Sequence, residues 1–539
     1  MKHTPSLPSL LTDRFSYKLL SCIGLVAMAD YFFFGKGPRH FGCTLGLWIA
    51  ALLLVIGLHR RWQKATRPAA WLIGGATFGL ALALIENPNL LGFFLIVLGL
   101  ISLAALHNAT WFGDTLRWLQ HLIVYSVMHW GRLFVDVFRW LRAGRRSKSL
   151  SLRWLGYWLV PALLSILFLV LFYIANPVIH QWLNALNIQV LIDLLSPRRW
   201  LYWFAIAWIS WGLIRPKMYR LTYSNPHEAV DAPPKLSRPV YDFFFNTTSI
   251  TSGLVVFNLI FFLQTILDVI YLWSSRALPE GLTHAEYAHR GTYPLIFAAL
   301  LAAGFVLVAL HPNSSSERNP TVRTLVFFWI LQTVFLVTSS VWRTWLYIEE
   351  YSLTYLRISA LIWMGLVTAG LLYIIVRILL GKTNRWLVNI NCATLLCVLY
   401  LCSWLDFSSM IAWYNVRHCQ EITNHSQALD LDYMEKLGPP ALPALRWYID
   451  KLGGSDAAET RGVKAHSRET EDGVTVEVEV TTFPNGRSID DARVYAMEIE
   501  SELYEDLIES LATWRSWTWR KQRILDELQA CSAYRDDAL

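Results

Sequence analysis

Charge is what this chain has least of. Aspartate, glutamate, lysine and arginine make up 16% of its 539 residues, whereas 55% are hydrophobic, and a soluble body of that length needs more polar residues to cover its surface. The shortage argues against an ordinary soluble enzyme and makes hydrocarbon the natural solvent for much of the chain. Catalytic signatures are lacking too: there is no His-Glu-x-x-His, no Cys-x-x-Cys, no Gly-x-x-x-x-Gly-Lys and no Gly-x-Ser-x-Gly. The sequence therefore points to neither a metal nor a cofactor, and an enzyme reading starts at a disadvantage. Of seven cysteines, Cys22, Cys43, Cys392, Cys397 and Cys402 fall in apolar runs, where a thiol packs as a small hydrophobe.

What the chain has in excess is aromatic. It carries 26 tryptophans and 23 tyrosines, rings whose one polar edge suits them to the membrane interface. Apolar runs near span length fall at 17–34, 41–58, 70–85, 90–106, 155–175, 201–214, 250–273, 293–310, 324–342, 356–380 and 386–405. The pattern predicts an all-α polytopic membrane protein of about eleven transmembrane helices with a small C-terminal polar α or α+β domain. The first run ends in Phe32-Phe33-Phe34-Gly35-Lys36 with no small-residue cleavage site, which predicts an uncleaved first span. Four parts follow: an N-terminal four-helix membrane region at 1–108, a basic interfacial segment at 109–154, a main membrane domain of seven helices at 155–407, and a polar domain at 408–539.

The net charge of +7 lies in a few loops and reads as a topology signal, not a nucleic-acid surface. With the N terminus in the cytoplasm, Arg60, Arg61, Lys64 and Arg67, then Arg132, Arg139, Arg142, Arg145, Arg146 and Lys148, then Arg215, Lys217, Arg220, Lys235 and Arg238 all fall inside, with Lys36 and Arg39 the short exception. An odd number of spans then puts the residues after about 407 in the periplasm. Residues 114–141 are apolar on one helical face and predict a helix lying in the cytoplasmic interface, either a topology anchor or, through 142–148, a site for anionic lipid. Gly75 and Gly79 form a small-x-x-x-small pair, read as close helix packing within the chain.

Beyond 408 the sequence predicts a helix over 441–452, a strand over 474–480 from its Val alternation, a turn at 484–486 and one or two helices over 488–528. The stretch Trp514-Arg515-Ser516-Trp517-Thr518-Trp519-Arg520 mixes rings with cations and reads as packing rather than a binding site. Cys419 and Cys531 lie outside the spans, where an oxidising compartment would allow a disulfide between them; free thiols are the alternative.

Polar residues inside the spans mark the candidate site. Gln264, Asp268 and Tyr271 share one face of the seventh span at i, i+4 and i+7, and Ser340, Arg343 and Tyr347 share one face of the ninth. Asp268, Arg343, Arg357 and Asp406 all come near the outer ends of their helices, with Glu286 and Arg290 in an adjoining loop. Ionisable groups at that depth need partners or water, so they predict an outward-facing polar pocket or a layer of salt bridges.

The same residues carry a resemblance. Gln264 to Asp268, Ala277-Leu278-Pro279-Glu280-Gly281-Leu282-Thr283, Glu286-Tyr287-Ala288-His289-Arg290-Gly291, Arg343-Thr344-Trp345-Leu346-Tyr347-Ile348, Glu350 to Thr354, Leu356-Arg357, Tyr414-Asn415, Leu431-Asp432-Tyr433 and Ala441 to Leu445 resemble a bacterial multi-pass membrane family of unknown function, the domain-of-unknown-function 4153/4173 group. The late Trp514 to Trp517 is similar as well. The resemblance implies an integral membrane protein, brings no catalytic residues, covers roughly the second half of the chain, and would place glycine where Ser352 stands.

Together these features predict a non-enzymatic bacterial inner-membrane protein whose outward pocket and periplasmic domain bind a ligand, a lipid or an envelope protein partner, with membrane lipids around it and no nucleic acid. Two alternatives stay open. A transporter would need a polar path, for which Asn258, Asn389 and Asn391 are the inner candidates. A membrane enzyme acting on a lipid-linked substrate would use Asp268 or Glu286 as acid or base.

Overall fold

In the computed structural model the described residues are 7–34, 42–59, 66–106, 114–129, 196–215, 247–274, 319–423, 427–453, 464–469, 475–480 and 489–536, with isolated positions between 131 and 168 and at 301 and 304. The expected spans at 155–175 and 293–310 lie outside them apart from those isolated positions, as do Glu286 and Arg290. The chain divides into two compact units, 1–221 with Trp514–Ser516, and 222–513 with 517–539.

The first unit contains α1 (Leu7–Phe33), α2 (Cys43–His59), α3 (Arg67–Glu86), α4 (Leu90–Leu106), α5 (Thr115–His129) and α6 (Pro197–Ile214). Glycine brings three of these helices together. A methyl group on Gly46 of α2 would lie 2.4 Å from Ile85 Cγ1 and 2.5 Å from the Ala81 carbonyl oxygen of α3; one on Gly99 of α4 would lie 2.2 Å from Thr77 Oγ1. Gly75, expected to serve this purpose, has nothing within 4 Å of such a methyl among the described residues.

Polar side chains pin the rest of the unit. Arg199 of α6 donates through Nε to Asp30 Oδ1 at 2.8 Å, Trp203 Nε1 reaches the same oxygen at 2.9 Å, and the guanidinium stands 5.0 Å from the Phe34 ring. Asp136 accepts from Trp211 Nε1 at 3.3 Å and lies 3.6 Å from Arg215. The helix expected in the cytoplasmic interface corresponds in part to α5, which packs on α4 and also presents an apolar face: Trp118 Nε1 donates to Ser102 Oγ at 2.9 Å, and Leu122 and Tyr125 are buried while Leu119 and Ile123 are exposed. Trp514 stands edge-on to Phe32 at 5.7 Å, and its carbonyl accepts from Cys43 Sγ.

The second unit begins with α7 (Thr247–Asp268), which runs on as a π-helical turn, Val269–Trp273. Then come α8 (Pro320–Tyr351), α9 (Tyr355–Leu380) and α10 (Asn384–Cys402). Local chemistry sets their limits. Asn319 accepts from the Thr321 amide at 2.9 Å and Pro320 starts α8, while Gly381, at φ +59°, ends α9 in the left-handed region that favours glycine. Ile250, Leu254, Val326, Trp329, Ile330, Leu371 and Leu387 form the shared core of these four helices.

Among the described residues, five helical segments are long and apolar enough to cross a membrane: Arg67–Glu86, Thr247–Trp273, Pro320–Tyr351, Tyr355–Leu380 and Asn384–Cys402, with Cys43–His59 and Leu90–Leu106 shorter but apolar. Val255, Val256, Leu259, Ile260, Phe262 and Leu263 of α7 are all exposed, an outer surface that suits hydrocarbon and not water.

The chain continues through α11 (Phe407–His418), a single turn at Gln420–Thr423, α12 (Leu431–Leu437) and α13 (Leu442–Gly453). β1 (Lys464–Glu469) and β2 (Thr475–Val480) then pair antiparallel, Lys464 opposite Val480, and α14 (Ile489–Leu511) and α15 (Trp519–Asp536) follow. Ile411, Met434, Leu445, Tyr448, Ile499, Leu507 and Leu528 belong to one buried cluster drawn from all five of these helices. The Val alternation had marked β2, and the C-terminal helical stretch resolves into two helices broken at 512–518.

Candidate functional site

The seam between α7 and α8 holds the strongest polar feature. Asp268 and Arg343, 0% and 2% exposed, form an ion pair, and Gln264 Nε2 donates to Asp268 Oδ1 at 2.9 Å. The one-turn spacing from Gln264 to Asp268 lets the amide cover the carboxylate from below. Beyond Asp268 the backbone widens into the π-turn, with the Ser274 amide bonding back to the Val269 carbonyl at 3.1 Å. Trp273, carried by that turn, donates to Ser339 Oγ at 3.2 Å and stacks on Phe335 and Trp342 with ring centroids 6.0 and 6.2 Å away. A π-turn beside an intramembrane ion pair is the kind of irregularity that concentrates at functional positions.

A second group surrounds the turn from α8 to α9. Arg357 folds back to donate to the carbonyls of Tyr351 at 2.6 Å and of Ser352, with its guanidinium 4.5 Å from the Tyr347 ring. A cation on the last carbonyls of α8 suits the negative end of that helix. Ser352 has φ +70° and ψ 171°, a conformation that glycine adopts freely, which explains why the resemblance would put glycine there. Asn415 of α11 holds the next residue at both ends: its Oδ1 accepts from the Leu353 amide at 2.7 Å and its Nδ2 donates to the Leu353 carbonyl at 3.0 Å. The Tyr355 amide donates to Tyr433 Oη of α12 at 3.0 Å.

Asp406 belongs to a third set. It caps α11 by accepting from the Ser409 amide at 3.1 Å, and it forms an ion pair with Arg520 of α15, whose Nη1 lies 3.1 Å from Oδ1. Burial lowers the pKa of Arg520 while the Asp406 carboxylate opposes that shift. Of the expected site residues, the structure thus joins Gln264 and Arg343 through Asp268 and brings Tyr347 to Arg357. Asp406 is bonded elsewhere, and Tyr271 sits half-buried in the π-turn.

The sequence pattern did not assign Ser339, Asn415 or Arg520 to the site, although Asn415 stands in a family-like motif and Arg520 in the aromatic and basic stretch. It also missed Gln332, which lies three turns before Arg343 on the same face of α8, is 6% exposed, and has no hydrogen-bond partner for its amide among the described residues. Its spacing of eleven from Arg343 was the available signal. The inner asparagines are used locally: Asn258 Nδ2 donates to the carbonyls of Leu254 and Leu325 at 2.7 and 3.1 Å, tying α7 to α8, and Asn391 Nδ2 donates to Leu387 at 2.8 Å.

Cys419 is a free, buried thiol whose pKa burial and Glu421 raise well above the usual range; the side chain of Cys531 lies outside the described residues. Among the described residues no group of three His, Cys, Asp or Glu side chains is placed to hold a metal ion.

These apolar helices and buried polar seams define a helical membrane protein. The chain belongs to the family described as "Domain of unknown function (DUF4153)", whose match covers residues 72–448. The match reaches much further towards the N terminus than the recognisable motifs do, and it ends before the Trp514 segment. No curated protein and no solved structure matches the chain.

Proposed function

We propose that this is a non-enzymatic bacterial inner-membrane protein, with its N terminus in the cytoplasm and α11–α15 outside it, in which the C-terminal helices bind a ligand, lipid or envelope partner. One observation carries the reading: Asn415 and Tyr433, both from the C-terminal helices, grip the α8–α9 turn through the backbone of Leu353 and Tyr355. The same helix α8 carries Arg343, nine residues before Ser352. A partner that shifted α11 or α12 would therefore act on a helix that also holds the intramembrane ion pair, the kind of shared element that coupling between sites requires. Exposed Val494, Tyr495 and Met497 on α14 give such a partner apolar surface to meet.

The enzyme reading fits the geometry less well. Asp268 is committed to Arg343 and Gln264, whereas a general acid or base needs a carboxylate reachable by substrate.

Topology is the test. Glu505 is exposed on α14, so Glu505→Cys is expected to react with a membrane-impermeant maleimide in intact cells. Labelling only after lysis would move the C-terminal helices to the cytoplasm and sink the extracytoplasmic reading. The native Cys419 is unsuitable as a reporter because it is 1% exposed.

A further inference from the structure

The α2–α3 pair diverges away from the tight contact at Gly46, and the opening is a groove of about 780 Å³. That volume lies within the ~300–1,000 Å³ usual for sites that hold small molecules. The groove is lined by small residues, Ala50, Gly57, Ala70, Gly74 and Gly75, together with Leu54, Trp71 and Phe78. Packing among the described residues does not explain the glycines: there, a methyl on Gly57, Gly74 or Gly75 would meet nothing within 4 Å. Each glycine costs about 1 kcal/mol of helix stability relative to alanine, so an open channel is kept where larger side chains would have fitted.

One charge stands in the lining. Arg67 is at the start of α3, exposed, and makes no ion pair among the described residues. The positive end of the helix adds to its field.

We propose that this groove holds one acyl chain of an anionic phospholipid, with the lipid phosphate against Arg67. The apolar channel matches the chain and the unpaired cation matches the head. A helix from a second copy would also favour a small-residue surface, but it would gain nothing from a cation at the rim. The site belongs to the first unit and does not depend on the role of the C-terminal helices.

The test uses the full-length protein in detergent, stripped of lipid, with native mass spectrometry and thermal unfolding as readouts. Phosphatidylglycerol is expected to bind and raise the melting temperature; phosphatidylcholine with the same chains should bind about tenfold more weakly, and inorganic phosphate alone should do neither. Gly75→Leu fills the groove and should abolish lipid binding while leaving the lipid-free melting temperature equal or higher, since leucine is the better helix former. Arg67→Gln should keep chain binding and erase the preference for the anionic head. Equal binding of both lipids to the unsubstituted protein, or lipid binding unchanged in Gly75→Leu, would overturn the assignment. A dimer that dissociates in Gly75→Leu with no lipid retained by the unsubstituted protein would give the groove to a second copy instead.

Discussion

The second unit contains two Asp–Arg pairs that look alike in sequence and differ in surroundings. Asp268 and Arg343 are buried in the α7–α8 seam, whereas Asp406 is part-exposed and shares its charge between Arg520 and the first turn of α11. The contrast teaches where each pair gets its value. In the seam no water can replace a lost partner, so either member alone is a liability and the pair acts as a lock. At Asp406 solvent softens the loss, and the carboxylate keeps its capping role without the arginine.

Substitutions can break or sharpen that contrast. The largest effect is expected for Arg343→Gln, which strands the Asp268 carboxylate; the loss should approach about 3–5 kcal/mol and appear as a steep drop in melting temperature in detergent. Asn415→Ala removes both bonds to Leu353 and should cost about 1–3 kcal/mol, with faster amide exchange at Leu353 as its local sign. Gln332→Met points the other way. It replaces a buried amide that has no partner among the described residues by an apolar chain of similar size and should raise stability by about 1–2 kcal/mol in a thermal melt; a fall would mean that the amide is hydrogen-bonded in the folded protein. Ser352→Gly is the smallest, a gain of up to about 1 kcal/mol from relief of the positive φ, read by the same melt.

Much of the architecture was legible because the length of an apolar run is a direct physical requirement of the bilayer. Nine of the expected spans coincide with helices among the described residues, including 90–106 and 356–380 to within a residue at each end. Helical spacing likewise showed that Gln264 and Asp268 share a face. Partners far apart in sequence were hidden: nothing near Asp406 announces Arg520, and nothing near Leu353 announces Asn415. The π-turn after Asp268 was invisible for another reason, since its residues Val269 to Trp273 are as apolar as those of the helix they extend. Gly75 shows the same limit, because a small residue can serve a neighbour or an open groove and only the backbone around it decides.

The most direct test of the lock is the double-mutant cycle at the α7–α8 seam: Asp268→Asn, Arg343→Gln and both together, followed by thermal unfolding of the full-length protein. Each single substitution is expected to be strongly destabilising, and the double variant to recover most of the loss, because no uncompensated charge remains buried. A stable or stabilised Asp268→Asn, or a double variant that simply sums the two losses, would contradict the lock and make Asp268 a carboxylate held in place for chemistry or transport.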